Sequence, residues 1–128
     1  MPTRLYVMPI SNAAAAGAAM VAHKRIPHRV VRLMPGLHPL LVRLAGFEGF
    51  TVPALELDGH KLQGSRRIAR FLDEVSPDLP LFPAEPEPRV RVEEAERWGE
   101  QAMQPVPRRF FRYLMLTSEP RGSGWAPR

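Results

Sequence analysis

Five prolines fall between residues 77 and 88, at positions 77, 80, 83, 86 and 88. Proline fixes φ near about −65° and has no N–H to donate, so neither a central strand nor a helix interior tolerates such a density. The stretch is expected to exclude helix and to form a stiff, extended connector. It splits the 128 residues into a first domain over 1–76, a linker over 77–88 and a shorter segment over 89–128. At 45% hydrophobic residues the first part can bury a core of its own, whereas two full domains do not fit.

Within 1–76 the punctuation is regular. Leu5-Tyr6-Val7-Met8 is an apolar run of strand formers that Pro9 ends, and Tyr6 reads as a core residue. Ser11 and Asn12 are good N-caps for the alanine-rich stretch Ala13–Lys24, whose Lys24 and Arg25 suit the negative end of a helix. Pro27 closes that helix, and Arg29–Leu33 reads as a second strand, parallel to the first through a right-handed crossover. From Pro35 to Phe50 the pattern is irregular, with a turn or two of helix around Leu40, Leu41 and Leu44. Val52–Leu57 and His60–Leu62 then flank Asp58-Gly59, a hairpin signal. Ser65 is expected to cap a helix carrying Ile68, Ala69, Phe71 and Leu72 at helical spacing and ending before Pro77. The order is βαβ followed by ββα, an α/β domain.

Charge and composition exclude several functions. Cysteine is absent, which removes disulfides, thiolate metal sites and any chemistry by a thiol of the chain itself. His23, His28 and His60 lack paired ligand spacing, so no metal is assigned. The formal charge is +5, and no Asp or Glu precedes Glu48 while Arg4, Lys24, Arg25, Arg29, Arg32 and Arg43 do. This positive field could attract nucleic acid, an anionic membrane surface or a small anionic ligand, and charge alone does not choose among them; the basic residues are scattered without interleaved aromatics to stack bases, which argues against nucleic acid. No apolar run nears the roughly 20 residues that cross a bilayer, and the start leads directly into a strand pattern, so a cytoplasmic protein with no membrane association is expected.

The βαβ-ββα order with a proline opening the third strand, in Val52-Pro53-Ala54-Leu55, is the thioredoxin-like plan. Over residues 4–84 the chain resembles the amino-terminal domain of the glutathione transferase family. The resemblance rests on Leu5-Tyr6, Pro9-Ile10-Ser11, Lys24-Arg25-Ile26-Pro27, Val52-Pro53-Ala54-Leu55, Ser65 leading into Ile68-Ala69-Arg70-Phe71-Leu72-Asp73-Glu74, and Leu81-Phe82-Pro83. It implies a cis peptide bond before Pro53, which presents the backbone of Val52 to an extended thiol peptide, glutathione, as though adding a strand. Where Pro53 only shapes a strand end, no such ligand edge exists.

The resemblance also assigns roles. Ser11 stands where the serine-type members hold the hydroxyl that contacts the ligand sulfur. A free thiol has a pKa of about 8.5, and a hydroxyl hydrogen bond at a positive helix end stabilises its thiolate. As a plain N-cap the same residue would contribute only about 1 kcal/mol of helix stability. Ser65 resembles the serine that holds the γ-glutamyl carboxylate at a helix start. The family usually carries Glu or Gln just before that serine, whereas here Gly64 stands there and Gln63 one place earlier, and the resemblance places both with Val52, Pro53 and Ser65 among the ligand-binding positions. That departure weakens the expected hold on the ligand's amino group and makes another low-molecular-weight thiol an alternative. Gly17-Ala18 replaces a valine-arginine pair of the family and favours close packing over a polar anchor. His38 lies near the basic contact to the glycine carboxylate, or is a plain loop histidine.

In 89–128, Ala95, Trp98, Ala102 and Met103 share a helical face, Pro105 and Pro107 are expected to break the helix, and Phe110, Phe111, Tyr113, Leu114, Met115 and Leu116 form an apolar cluster. This is a partial helical domain, where the family binds its electrophile. The unburied cluster predicts self-association such as a homodimer, another partner or poor solubility. The resemblance therefore implies a thiol transferase that conjugates glutathione or a similar thiol to an electrophilic small molecule. The alternative is a non-catalytic thioredoxin-like binding or assembly module, or a truncated remnant of a transferase.

Overall fold

A computed structural model describes residues 2–117. Its first unit, ending at Pro83, is built on four short strands: β1 (Arg4–Val7), β2 (Arg29–Arg32), β3 (Ala54–Leu57) and β4 (His60–Gln63). Their order in the sheet is β2-β1-β3-β4. β1 runs parallel to β2 and antiparallel to β3, and β3 is antiparallel to β4. The parallel pair is joined through α1 (Asn12–His23), and α2 (His38–Leu44) and α3 (Ser65–Val75) complete the unit. This is the expected thioredoxin-like α/β plan. The β3–β4 loop is the two-residue hairpin turn foreseen at Asp58-Gly59, both residues taking positive φ, 48° and 82°.

Side chains alternate across each strand, so the sheet has two apolar faces. Leu5, Leu55 and Leu57 point to one side and pack with Val21 of α1 and Ile68 and Leu72 of α3. Tyr6 and Ala54 point to the other, where Leu33, Val42 of α2 and Phe47 meet them. The rings of Tyr6 and Phe47 stand edge to face at 5.3 Å and 76°, so Tyr6 is core as expected. Each fully buried aliphatic side chain contributes about 1.5–3 kcal/mol, and Leu5, Leu55, Ile68 and Leu72 are sealed from solvent. Truncating any one of them is the single change that most damages this unit.

Lys24 was expected merely to complement the end of α1. It is instead buried, with its ammonium 2.5 Å from the Asp73 carboxylate and 2.7 Å from the Ser76 carbonyl. Asp73 in turn accepts the backbone N–H groups of Leu81 and Phe82. Burial pushes the Asp73 carboxyl up, but Lys24 and the two N–H groups outweigh it and hold the group below the usual carboxylate value. This network fastens the first residues of the proline-rich stretch to the end of α3.

Two expectations about proline are corrected. The stretch 77–88 does not exclude helix, since α4 (Pro86–Trp98) starts inside it with prolines in its first turn. First-turn residues need no N–H partner, so proline is tolerated there. Nor do Pro105 and Pro107 break the second helical run: a π-helical turn over Gly99–Met103 connects α4 to α5 (Pro105–Thr117). The Gln104 N–H donates to the Gly99 carbonyl at 2.8 Å, one residue further back than in an α-helix. A regular turn would press the Pro105 ring against the carbonyl four residues earlier, and the wider turn relieves that. α4, the π-turn and α5 contain no buried residue, and Trp98, Met103, Phe110, Tyr113, Met115 and Leu116 are all more than half exposed. The apolar cluster foreseen in the sequence is thus displayed rather than packed.

Candidate functional site

The residues singled out in the sequence gather around Pro53. The Val52–Pro53 bond is cis, Pro53 is fully buried, and β3 begins directly after it. From one side α1 approaches so closely that a Cβ on Gly17 would stand 2.8 Å from the Pro53 Cβ. From the other, the Gly64 N–H donates to the Pro53 carbonyl at 3.0 Å, which ties the head of α3 to it. Among the described residues no hydrogen bond uses the N–H or C=O of Val52.

Ser11 is the N-cap of α1: with φ −94° and ψ 116° it turns its side chain back, and its Oγ accepts the Ala14 N–H at 3.2 Å. Accepting that bond uses one lone pair and leaves the O–H proton free to donate elsewhere. Ser11 is half-buried and lies about 9 Å along the helix axis from Gly17.

Ser65 does not cap α3, which corrects the sequence expectation. Gly64 occupies the cap position with φ 87° and ψ 136°, in the positive half of backbone space that favours glycine, and no side chain bonds the first turn. Ser65 is the first helical residue, and its hydroxyl takes part in no hydrogen bond among the described residues. The first N–H groups of a helix have no partner within it, so this end attracts anions.

The side-chain amide of Gln63 holds a loop. Its Oε1 accepts the Gly49 N–H at 2.7 Å and its Nε2 donates to the Thr51 carbonyl at 3.0 Å. The amide therefore braces the loop that leads into Val52. Gly49 and Thr51 went unnoticed in the sequence because nothing local marks a loop residue as the partner of a side chain on β4. His38 heads α2, half-buried, and its Nδ1 is shut away from solvent without a partner. No hydrogen bond among the described residues links His38 to the Pro53 region.

A mixed sheet in this order, with α1 and α3 against one face, α2 against the other and a cis-proline opening β3, defines a thioredoxin-like domain. The model of the family described as glutathione S-transferase, N-terminal domain, matches residues 5–80, more than half of the chain. The chain belongs to the glutathione S-transferase family. A glutathione transferase homolog from Burkholderia GL BGR1, solved with bound glutathione, is 26% identical with a TM-score of 0.71, over 84% of this chain and 58% of that one. A maleylacetoacetate isomerase from Anaeromyxobacter dehalogenans 2CP-1 is 27% identical with a TM-score of 0.65, over 81% and 46%. Poplar glutathione transferase F1 has a TM-score of 0.71 over 94% and 58% at 20% identity, a likeness of fold alone. The chain thus spans about half the length of these structures. No protein with a curated description matches it. No helix among the described residues is long and apolar enough to cross a membrane.

Proposed function

We propose that this chain binds glutathione or a similar small thiol and joins its sulfur to an electrophilic small molecule, acting in the cytoplasm. The observation that carries the reading is the convergence on Pro53. The helix capped by Ser11 packs on its ring through Gly17, and the helix headed by Ser65 is tied to its carbonyl through Gly64. The glutathione held by the 26% identical relative supports the choice of ligand.

In this reading the extended ligand pairs with the idle N–H and C=O of Val52 as an added strand. Its γ-glutamyl carboxylate meets the Ser65 hydroxyl and the first N–H groups of α3, and His38 Nε2 takes the second carboxylate. Gln63 acts from behind, by fixing residues 49–51, and Gly64 contributes backbone alone. The Ser11 O–H donates to the sulfur and favours thiolate over thiol, raising the fraction of nucleophile at neutral pH. Attack forms one S–C bond. The electron pair of the broken bond departs with the leaving group, or, on an activated alkene, settles on the neighbouring carbon and takes a proton from water.

Thermal unfolding with and without glutathione tests the binding, since a ligand at 100 times its Kd stabilises by about 2.7 kcal/mol. Conjugation to a generic electrophile tests Ser11: Ser11→Ala should keep the thermal shift and slow the reaction at neutral pH. Unchanged conjugation in that variant overturns the role of Ser11, and a full panel of small thiols without a thermal shift overturns the site.

The second reading is a non-catalytic binding or assembly module. Three observations favour it: the Gln63 amide is committed to the loop, Gly64 offers no side chain, and α5 displays its apolar residues. It requires self-association, as a homodimer or with a partner, without any thermal shift by a thiol. Size-exclusion chromatography of the same sample reads that out.

A further inference from the structure

β2 is one of the two outer strands of the sheet, and an open depression of about 430 Å³ runs along it, lined by Arg4, Tyr6, Arg29, Val30, Val31 and Arg32. The whole strand Arg29-Val30-Val31-Arg32 therefore forms one wall. The Arg29 N–H donates inward to the Thr3 carbonyl, and the Leu33 N–H to the Val7 carbonyl. By the alternation of a parallel ladder, the N–H and C=O groups of Val30 and Arg32 point away from the sheet. An edge of this kind is a template for one more strand.

The charges say which strand. Arg29 stands directly beside Arg4 in the ladder, and Arg4 in turn beside Glu56. Glu56 lies 3.8 Å from Arg4, so one carboxylate faces two guanidinium groups in that row. Like charges side by side on a sheet are unfavourable. Arg32 closes the other end of the strand on the opposite face, and neither Arg29 nor Arg32 has a side-chain partner among the described residues. Two copies of this edge repel each other. An acidic strand does not.

We infer that the β2 edge binds an extended acidic peptide in which two carboxylates flank two apolar residues, the complement of Arg29-Val30-Val31-Arg32. One carboxylate meets Arg29 and Arg4 on the face that carries Tyr6, the other meets Arg32 on the opposite face, and the peptide backbone pairs with Val30 and Arg32. Because the pattern reads the same in both directions, parallel and antiparallel additions satisfy it equally. The inference uses none of the groups assigned to the thiol site, so it stands or falls apart from that reading.

The test uses the full chain and a fluorescein-labelled hexapeptide with Glu-Val-Val-Glu at its centre, followed by fluorescence anisotropy. Saturable binding that weakens with salt is expected, with about tenfold weaker binding of the rearranged Val-Glu-Glu-Val peptide, which misplaces both charge pairs. Methylating alternate peptide nitrogens should abolish binding, and so should Val30→Pro, which deletes an outward N–H and leaves the β1–β2 ladder whole. Should Val30→Pro fail to fold, Arg29→Glu combined with Arg32→Glu should transfer the preference to a Lys-Val-Val-Lys peptide. No binding at low salt, equal binding of the rearranged or methylated peptide, or no transfer of preference overturns the inference. Ser11→Ala should leave the affinity unchanged.

Discussion

Gly17 and Pro53 are in direct contact across the fold: a Cβ on Gly17 would meet the Pro53 Cβ at 2.8 Å and its Cγ at 2.9 Å. Both atoms belong to a buried ring that cannot swing aside. Gly17→Ala gains about 1 kcal/mol of helix propensity and loses about 1–3 kcal/mol to overpacking. A net fall in Tm is expected, about 4–8 °C for each kcal/mol lost in a domain of this size. Because the ring is what must move, thiol affinity should fall with it, and isothermal titration of the folded variant checks this.

Ser11 combines capping with the proposed contact to sulfur, and the two separate in Ser11→Asp. Aspartate caps as well as serine does, so the thermal midpoint should stay within about 2 °C. Its carboxylate repels a thiolate, so the pH at which conjugation reaches half its maximum should move up. A pH–rate profile that matches the unmodified protein removes the sulfur contact.

Gln63→Ala takes away the partner of the Gly49 N–H and of the Thr51 carbonyl. A net loss of about 1–2 kcal/mol is expected, concentrated in residues 49–51. Hydrogen exchange at the Gly49 amide should speed up well beyond that of the β1–β3 ladder. Gln63→Glu keeps the acceptor for Gly49 but sets a carboxylate against the Thr51 carbonyl, so it should rescue only partly.

The carboxyl of Asp73 lies below its usual value in the folded chain, held there by Lys24 and by the N–H groups of Leu81 and Phe82 against the opposing effect of burial. A carboxyl lowered on folding binds its proton more readily when unfolded. The stability it confers is complete above about pH 5 and is lost as pH falls through the lowered value. Asp73→Asn should therefore cost about 2–4 kcal/mol at pH 7, where it leaves the Lys24 ammonium buried without its counter-charge, and progressively less as the pH falls through the lowered value. Urea unfolding across that range measures the convergence.

Much of the first unit was legible because its signals are local. Asp58-Gly59 permits few backbones other than a tight hairpin, an alanine run behind a serine cap makes a helix, and Pro9, Pro27 and Pro77 stop elements where the structure stops them. The strand read over Val52–Leu57 is shorter in the structure, where β3 begins only at Ala54, after the proline. Ser65 reads as a cap in the sequence because the backbone of Gly64, the actual cap, does not follow from its identity alone. The loop partners of Gln63 lie 12 and 14 positions away, and Lys24 and Asp73 find each other across 49, so no local signal marks either set of contacts. Pro86 and Pro105 misled for one reason: a proline forbids a helix interior, and whether a given proline is interior depends on where the helix begins or widens.

The Asp73 carboxylate reaches beyond α3 to take hold of Leu81 and Phe82, and Phe82 is almost wholly buried. Anyone excising the first unit for separate expression must keep residues 77–83 with it. A chain stopped at Ser76 would retain every strand and helix of the sheet layer, yet leave an acid with two empty acceptor sites beside a hole the size of a phenylalanine ring.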